Sequence, residues 1–112
     1  MRGAEFRARR ESCGLSQPAL AARAGVCRAT VNRWETEVWP VPPEGWAALE
    51  RVEEQVAEAA DEIVVAAREW QGPGPLTVAY APGPDSPKNA AARLACQLLK
   101  MEGVPVALEY AV

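Results

Sequence analysis

Glycine and proline punctuation limits the fold of this chain more than any other feature. Within the first forty residues Gly14 and Gly25 separate three short segments, and the run Trp39-Pro-Val-Pro-Pro43 closes the last of them. Residues 4–12 read as a short helix that Gly14 ends. Ser16 can accept the orphan amides of the next first turn, where Pro18 removes no intrahelical donor, so a second helix is expected over 17–24. Gly25 suits the left-handed exit of that helix. A third helix is expected from Arg28 to about Thr36. Elements this short are stable only when packed on one another, so the first forty residues form a compact three-helix arrangement with tight turns.

After Pro43 the pattern changes. Apart from Gly45, no glycine or proline occurs before Gly72. Leu49, Val52, Val56, Ala59, Ile63, Ala66 and Trp70 recur at alternating steps of three and four, a heptad seam on one long helix over 43–70, with acidic residues filling much of the rest. Such a stripe must be covered. It either packs on its own chain or pairs with a second copy, and the second is expected because so short a chain offers little to cover about 40 Å of helix.

Beyond the break Gln71-Gly-Pro-Gly-Pro75, Leu76–Ala81 alternates as a strand. Ser86 and Pro87 open a helix that Gly103 closes, with Ala91, Leu94, Ala95, Leu98 and Met101 as its apolar stripe, and Val104–Val112 reads as a final strand. A parallel crossover is long enough, and an antiparallel return is also possible. Two strands make a poor sheet with open edges, so two protomers are expected to join there. The expected dimer interface comprises Val56, Ile63, Trp70, Leu76, Val78, Tyr80, Leu98, Val106 and Leu108. The expected fold is thus mostly α with a small α/β C-terminal part: a bundle of three short helices over 1–42, a long linking and dimerisation helix over 43–70, and a strand–helix–strand dimerisation element over 71–112.

Composition narrows function by exclusion. The 112 residues contain no histidine, and the three cysteines (Cys13, Cys27, Cys96) are far apart with no CxxC pair. His-based acid–base chemistry, Ser–His and Cys–His nucleophiles and mixed Cys/His zinc sites are out, and no Gly-rich phosphate loop follows a strand, so neither an enzyme nor a metal or other cofactor is expected. An odd, scattered cysteine count fits reduced thiols in a cytoplasmic protein. No apolar run is long enough to span a membrane, and no signal-peptide pattern opens the chain. The net charge of −3 conceals an asymmetry: residues 1–36 carry seven Arg and three Glu, net +4, whereas 37–112 carry five Lys/Arg and twelve Asp/Glu, net −7. A basic end on an acidic remainder suits one nucleic-acid-facing end.

Residues 6–42 carry a specific combination: a basic first helix ending in Gly14-Leu15-Ser16-Gln17, Leu20-Ala21 in the second helix, Gly25-Val26 in the turn, Thr30-Val31-Asn32-Arg33-Trp34-Glu35 in the third, and Pro40 to Pro42 beyond it. This stretch resembles the helix-turn-helix of the Cro/phage-repressor type, the XRE-like family. The side-chain physics agrees. Ala21 lets two helices approach, and Val26, Val31 and Trp34 can face a small core with Leu15 and Leu20, which leaves Arg28, Ala29, Asn32 and Arg33 on the opposite face of the third helix. In a helix-turn-helix that face meets base edges in the major groove. Arg can donate twice to guanine, Asn can bridge adenine, and Ala can touch a thymine methyl. The resemblance implies phosphate contacts from Gln17 and Thr30, and a pair between Arg10 and Glu35. Arg2, Arg7 and Arg9 add charge toward the DNA backbone.

Two positions depart from the family pattern. Cys27 stands where Ser or Thr usually caps the recognition helix, which also raises the idea of a redox switch, and Glu37 stands where a helix-ending Gly is common. The outline of the remainder is similar to compact phage-encoded autorepressors, including anti-CRISPR-associated regulators. That likeness implies a phage or prophage repressor, a homodimer on an inverted repeat of double-stranded DNA in its own promoter. An antitoxin that grips a small toxin protein and also represses its operon is the alternative.

Overall fold

In the computed structural model, which describes residues 2–111, the chain runs through α1 (Gly3–Ser12), α2 (Gln17–Ala24), α3 (Arg28–Glu35), α4 (Pro43–Glu69), β1 (Leu76–Tyr80), α5 (Pro87–Glu102) and β2 (Val106–Tyr110). These elements form two compact units, residues 1–54 and 55–112, and the division falls inside α4. The fold is mostly helical with a small α/β C-terminal part.

The turn chemistry places the helix ends where local physics requires. Ser16 accepts from the Ala19 amide and Ser86 from the Asn89 amide, while Gly25 and Gly103 take the left-handed conformation at φ 71° and 76°. Helix α1 begins one residue earlier than the sequence suggested. Gly3 is buried, and a Cβ there would lie 2.5 Å from the Glu35 carbonyl oxygen, so only glycine lets the start of α1 pass so close to the end of α3.

The core of residues 1–54 is built from large side chains. Phe6, Leu15, Leu20, Val31, Trp34, Leu49 and Val52 are all buried. The Phe6 ring meets Trp34 and Trp46 edge to face, with centroids 5.7 and 5.1 Å apart. Such perpendicular pairs bring the positive ring edge to the negative ring face and add to the burial of apolar area.

In residues 55–112, β1 and β2 pair in parallel with Leu76 opposite Val106 and Tyr80 opposite Tyr110, and α5 forms the crossover. The antiparallel return is therefore not used. Asn89, buried at the start of α5, accepts from the Ala81 amide and donates to the Ala81 carbonyl, both at 2.9 Å, so one side chain imitates a strand partner and ties the end of β1 to α5. Arg93 donates to Asp85 through two nitrogens and to the Tyr80 hydroxyl, and Asp85 holds Arg93 firmly charged while its own pKa falls below the usual carboxylate range.

Two helical faces differ from expectation. On α4 the buried stripe is Leu49, Val52, Val56, Ala60, Val64 and Ala67, whereas Ala66 and Trp70 are exposed and Ala59 and Ile63 are half-buried. Its steps of 3, 4, 4, 4 and 3 average the 3.6 period of a straight helix, and a 3.5 heptad drifts away from that line along the helix. The chain covers this stripe itself. Trp70 lies just past the end of α4, and its indole N–H donates to the Gly74 carbonyl, closing the following turn. On α5, Ala91 and Ala95 are buried as expected together with Ala92 and Leu99, but Leu94, Leu98 and Met101 are exposed. The alanine side admits close neighbours that longer side chains would hold off.

Candidate nucleic-acid interface

The site begins with the ion pair that orients α3. Arg10 on α1 donates Nε to Glu35 Oε2 at 2.6 Å and Nη2 to Oε1 at 2.9 Å, and its Nη1 reaches the Leu15 carbonyl at 2.7 Å. Both side chains are nearly excluded from solvent, and the carboxylate favours the charged guanidinium. The resemblance implied this pair, and the bidentate geometry shows what it does: it joins the first helix, the first turn and the end of the third helix. Gln17, at the start of α2, extends the network. Its Nε2 donates to Glu35 Oε1 at 3.1 Å and to Asn32 Oδ1 at 3.2 Å. A polar depression of about 340 Å³ lined by Arg7, Arg10, Gln17, Asn32, Glu35 and Thr36 lies over these bonds.

Helix α3 turns Val31 and Trp34 inward and leaves Arg28, Ala29, Asn32 and Arg33 exposed on the other side. The four residues assigned to base contacts therefore share a solvent-facing surface. No carboxylate pairs with Arg28 or Arg33 among the described residues. Thr30 and Gln17 are half-buried beside that surface.

Both departures from the family pattern have structural consequences. Cys27 occupies the N-cap position in an extended conformation but makes no capping bond from its side chain; its Sγ lies 3.3 Å from Thr30 Oγ1. Hydrogen bonding to Thr30 lowers the thiol pKa, whereas burial raises those of Cys13 and Cys96. Glu37 adopts φ 65°. With Glu37 N–H donating to the Trp34 carbonyl and Val38 N–H to the Arg33 carbonyl, α3 closes in a Schellman turn in which glutamate holds the left-handed position.

The basic residues of α1 separate by partner. Arg9 is held by Glu53 through Nε at 2.9 Å and Nη2 at 2.5 Å, with Glu5 nearby. Arg2 pairs with Glu5 and lies 4.1 Å from the Trp46 ring centre. Among the described residues, Arg7 pairs with Glu11 in an exposed contact at 3.3 Å. Of the residues expected at a dimer interface, Val56 and Val78 are buried within the chain, Ile63, Leu76, Tyr80 and Val106 are half-buried, and Trp70, Leu98 and Leu108 are exposed.

Sequence reasoning missed the partners of these groups: Glu53 for Arg9, Gln17 for Asn32, and Trp39 for Arg33, whose Cζ lies 4.7 Å from the Trp39 ring centre. A tryptophan beside a proline run was the one signal in the sequence for the last.

A family model described as a helix-turn-helix domain matches residues 3–63, more than half of the chain. The chain belongs to that family, in its XRE-like branch, and carries the domain of a DNA-binding regulator. No curated protein and no solved structure matches it. Among the described residues, no helix is long and apolar enough to cross a membrane.

Proposed function

We propose that this protein is a sequence-specific transcriptional repressor that binds an inverted repeat as a homodimer through the major groove and acts at its own promoter. The observation that carries this reading is the exposed face of α3, where Arg28, Ala29, Asn32 and Arg33 stand together without carboxylate partners among the described residues while Val31 and Trp34 anchor the helix. Arg28 and Arg33 suit guanine, Asn32 suits adenine, and Ala29 suits a thymine methyl. Gln17, Thr30 and Arg7 flank that face and are assigned to phosphates, with Arg2 adding charge; Arg9, engaged by Glu53, contributes to the scaffold. Repression is assigned to occlusion of polymerase at the bound site.

Dimerisation is assigned to residues 55–112. Each strand of the parallel pair keeps one unpaired edge, and Leu108 on β2 and Leu98 on α5 are exposed. The same open edge suits the second reading, an antitoxin-type module that grips a small partner protein.

Selection from a random DNA pool at about 150 mM salt tests the proposal, because nonspecific phosphate binding is weak enough there for base contacts to decide. An enriched inverted repeat with half-sites about one helical turn apart is the expected result. A folded protein that enriches no sequence would reject it in favour of a partner-bound module.

A further inference from the structure

We propose that Trp39 is a positioning residue for DNA recognition: its indole face holds the Arg33 guanidinium and thereby sharpens the choice of base beneath Arg33. This inference rests on the reading of α3 as the base-reading helix.

Trp39 is unusual among the residues that follow α3. Trp34 is buried at 4 % exposure, yet Trp39, five positions on, keeps 47 % of its surface in solvent. A tryptophan so exposed does not serve the core alone. Its backbone is nevertheless closely determined. The Arg33 carbonyl accepts from both the Val38 and Trp39 amides, at 2.9 and 3.2 Å, across the left-handed turn at Glu37. Pro40 then restricts Trp39 to extended conformations, because the proline ring collides with a helical residue before it. The indole also borders a mostly apolar cavity of about 180 Å³ with Arg2, Trp34, Pro40, Val41 and Trp46. The ring is held from several directions while one part of it faces out.

The Arg33 guanidinium lies over the Trp39 ring, its Cζ 4.7 Å from the ring centre. A guanidinium over an aromatic ring is attracted through its face, and this leaves the in-plane N–H donors free. Those are the donors a bidentate contact with guanine requires. An arginine held in this way has less conformational freedom to lose on docking, and it cannot swing readily to satisfy a different base. Arg28, at the opposite end of α3, has no ring partner among the described residues, so the molecule contains its own control.

The test uses the full chain and the site obtained by selection. Affinities for that site and its single-base variants are measured for the wild type, Trp39→Leu, Trp39→Phe, Arg33→Ala and the double variant Arg33→Ala/Trp39→Leu. Trp39→Leu is expected to reduce discrimination about three- to tenfold, the range of one cation–π contact, at the base pair that Arg33→Ala also affects. Discrimination beneath Arg28 and binding to random DNA should stay within about twofold, since phosphate contacts are untouched. Trp39→Phe should retain most of the discrimination, and Trp39→Leu should add nothing once Arg33 is alanine. In the free protein, Arg33 side-chain protons should show upfield ring-current shifts that Trp39→Leu abolishes and Trp39→Phe preserves.

Equal losses at every base pair, or a Trp39→Leu effect that persists without Arg33, would overturn the inference and leave the DNA-binding reading intact. Unshifted Arg33 protons in the wild type would overturn it without any use of DNA, whatever the stability of the variants. A wild type that selects no sequence would overturn the inference and the reading on which it rests together.

Discussion

The two units of this protein bury different kinds of side chain. Residues 1–54 centre on Phe6, Leu20, Val31, Trp34 and Leu49, tied by the Arg10–Glu35 and Arg9–Glu53 ion pairs. Residues 55–112 bury mainly alanines (Ala60, Ala67, Ala90, Ala91, Ala92 and Ala95), with Leu99 the one fully buried large side chain among the described residues, and leave Leu94, Leu98, Met101, Leu108 and Tyr110 exposed. A helix face of alanines allows close approach but removes little apolar area from water, since burial stabilises in proportion to area. The first unit therefore has the packing of a self-sufficient domain. The second places its larger apolar groups outside, which favours an assignment of oligomerisation there and of DNA reading to the first.

The sharpest way to test this contrast is to damage each core. Phe6→Ala removes the ring shared by Trp34 and Trp46 and should cost about 3–5 kcal/mol, enough to unfold residues 1–54 and abolish DNA binding. Chemical denaturation followed by tryptophan fluorescence measures it, and a loss below about 1 kcal/mol would show that this core tolerates a cavity. In the second unit the vulnerable direction is the opposite one. Ala95 is fully buried, so Ala95→Leu forces three more carbons into the packed interior and should destabilise by about 1–3 kcal/mol, read by amide exchange in β1 and β2.

Smaller effects sharpen the picture. Glu37 is the one non-glycine residue with positive φ among the described residues, and Glu37→Gly should raise stability by about 1 kcal/mol by relieving the left-handed backbone. An unchanged or lowered midpoint would mean that the contacts of the Glu37 side chain outweigh its strain. Leu98→Asp changes an exposed position and should convert dimer to monomer in sedimentation, remove the concentration dependence of melting and weaken operator binding, while the monomer stays folded. A fully dimeric variant would move the interface away from α5. Least disruptive is thiol chemistry: with its pKa lowered beside Thr30, Cys27 holds more thiolate at neutral pH than Cys13 or Cys96, and iodoacetamide should label it first.

Much of the first unit is legible in the amino-acid sequence. The segment 17–24, the cap at Ser16, the exit at Gly25, the inward Val31 and Trp34 and the Arg10–Glu35 pair all stand in the fold, as does the exit at Gly103 in the second unit. The candidate site is legible as a set of exposed residues on α3, but not as a network. Nothing in the sequence links Gln17 to Asn32, and only a tryptophan beside a proline run hints at a partner for Arg33, because both links depend on how a loop or a second helix returns across the recognition helix.

Local chemistry determined where most helices begin and end, since a hydroxyl cap, a left-handed glycine or a proline acts within one turn of its own position. The starts of α1 at Gly3, against the end of α3, and of β2 at Val106 rather than Val104 were not read from it. The choice of face was not local. The stripes of α4 and α5 each offered two apolar readings that differ by a fraction of a turn, and only the packing partners select Ala60, Val64 and Ala67 over Ala59, Ala66 and Trp70, or Leu99 over Leu98. The parallel pairing of β1 with β2, the Asn89 clamp and the Glu53 partner of Arg9 were likewise decided by tertiary structure. Each joins residues brought together by the fold, and the free energy of such a contact depends on geometry that no short window of residues contains.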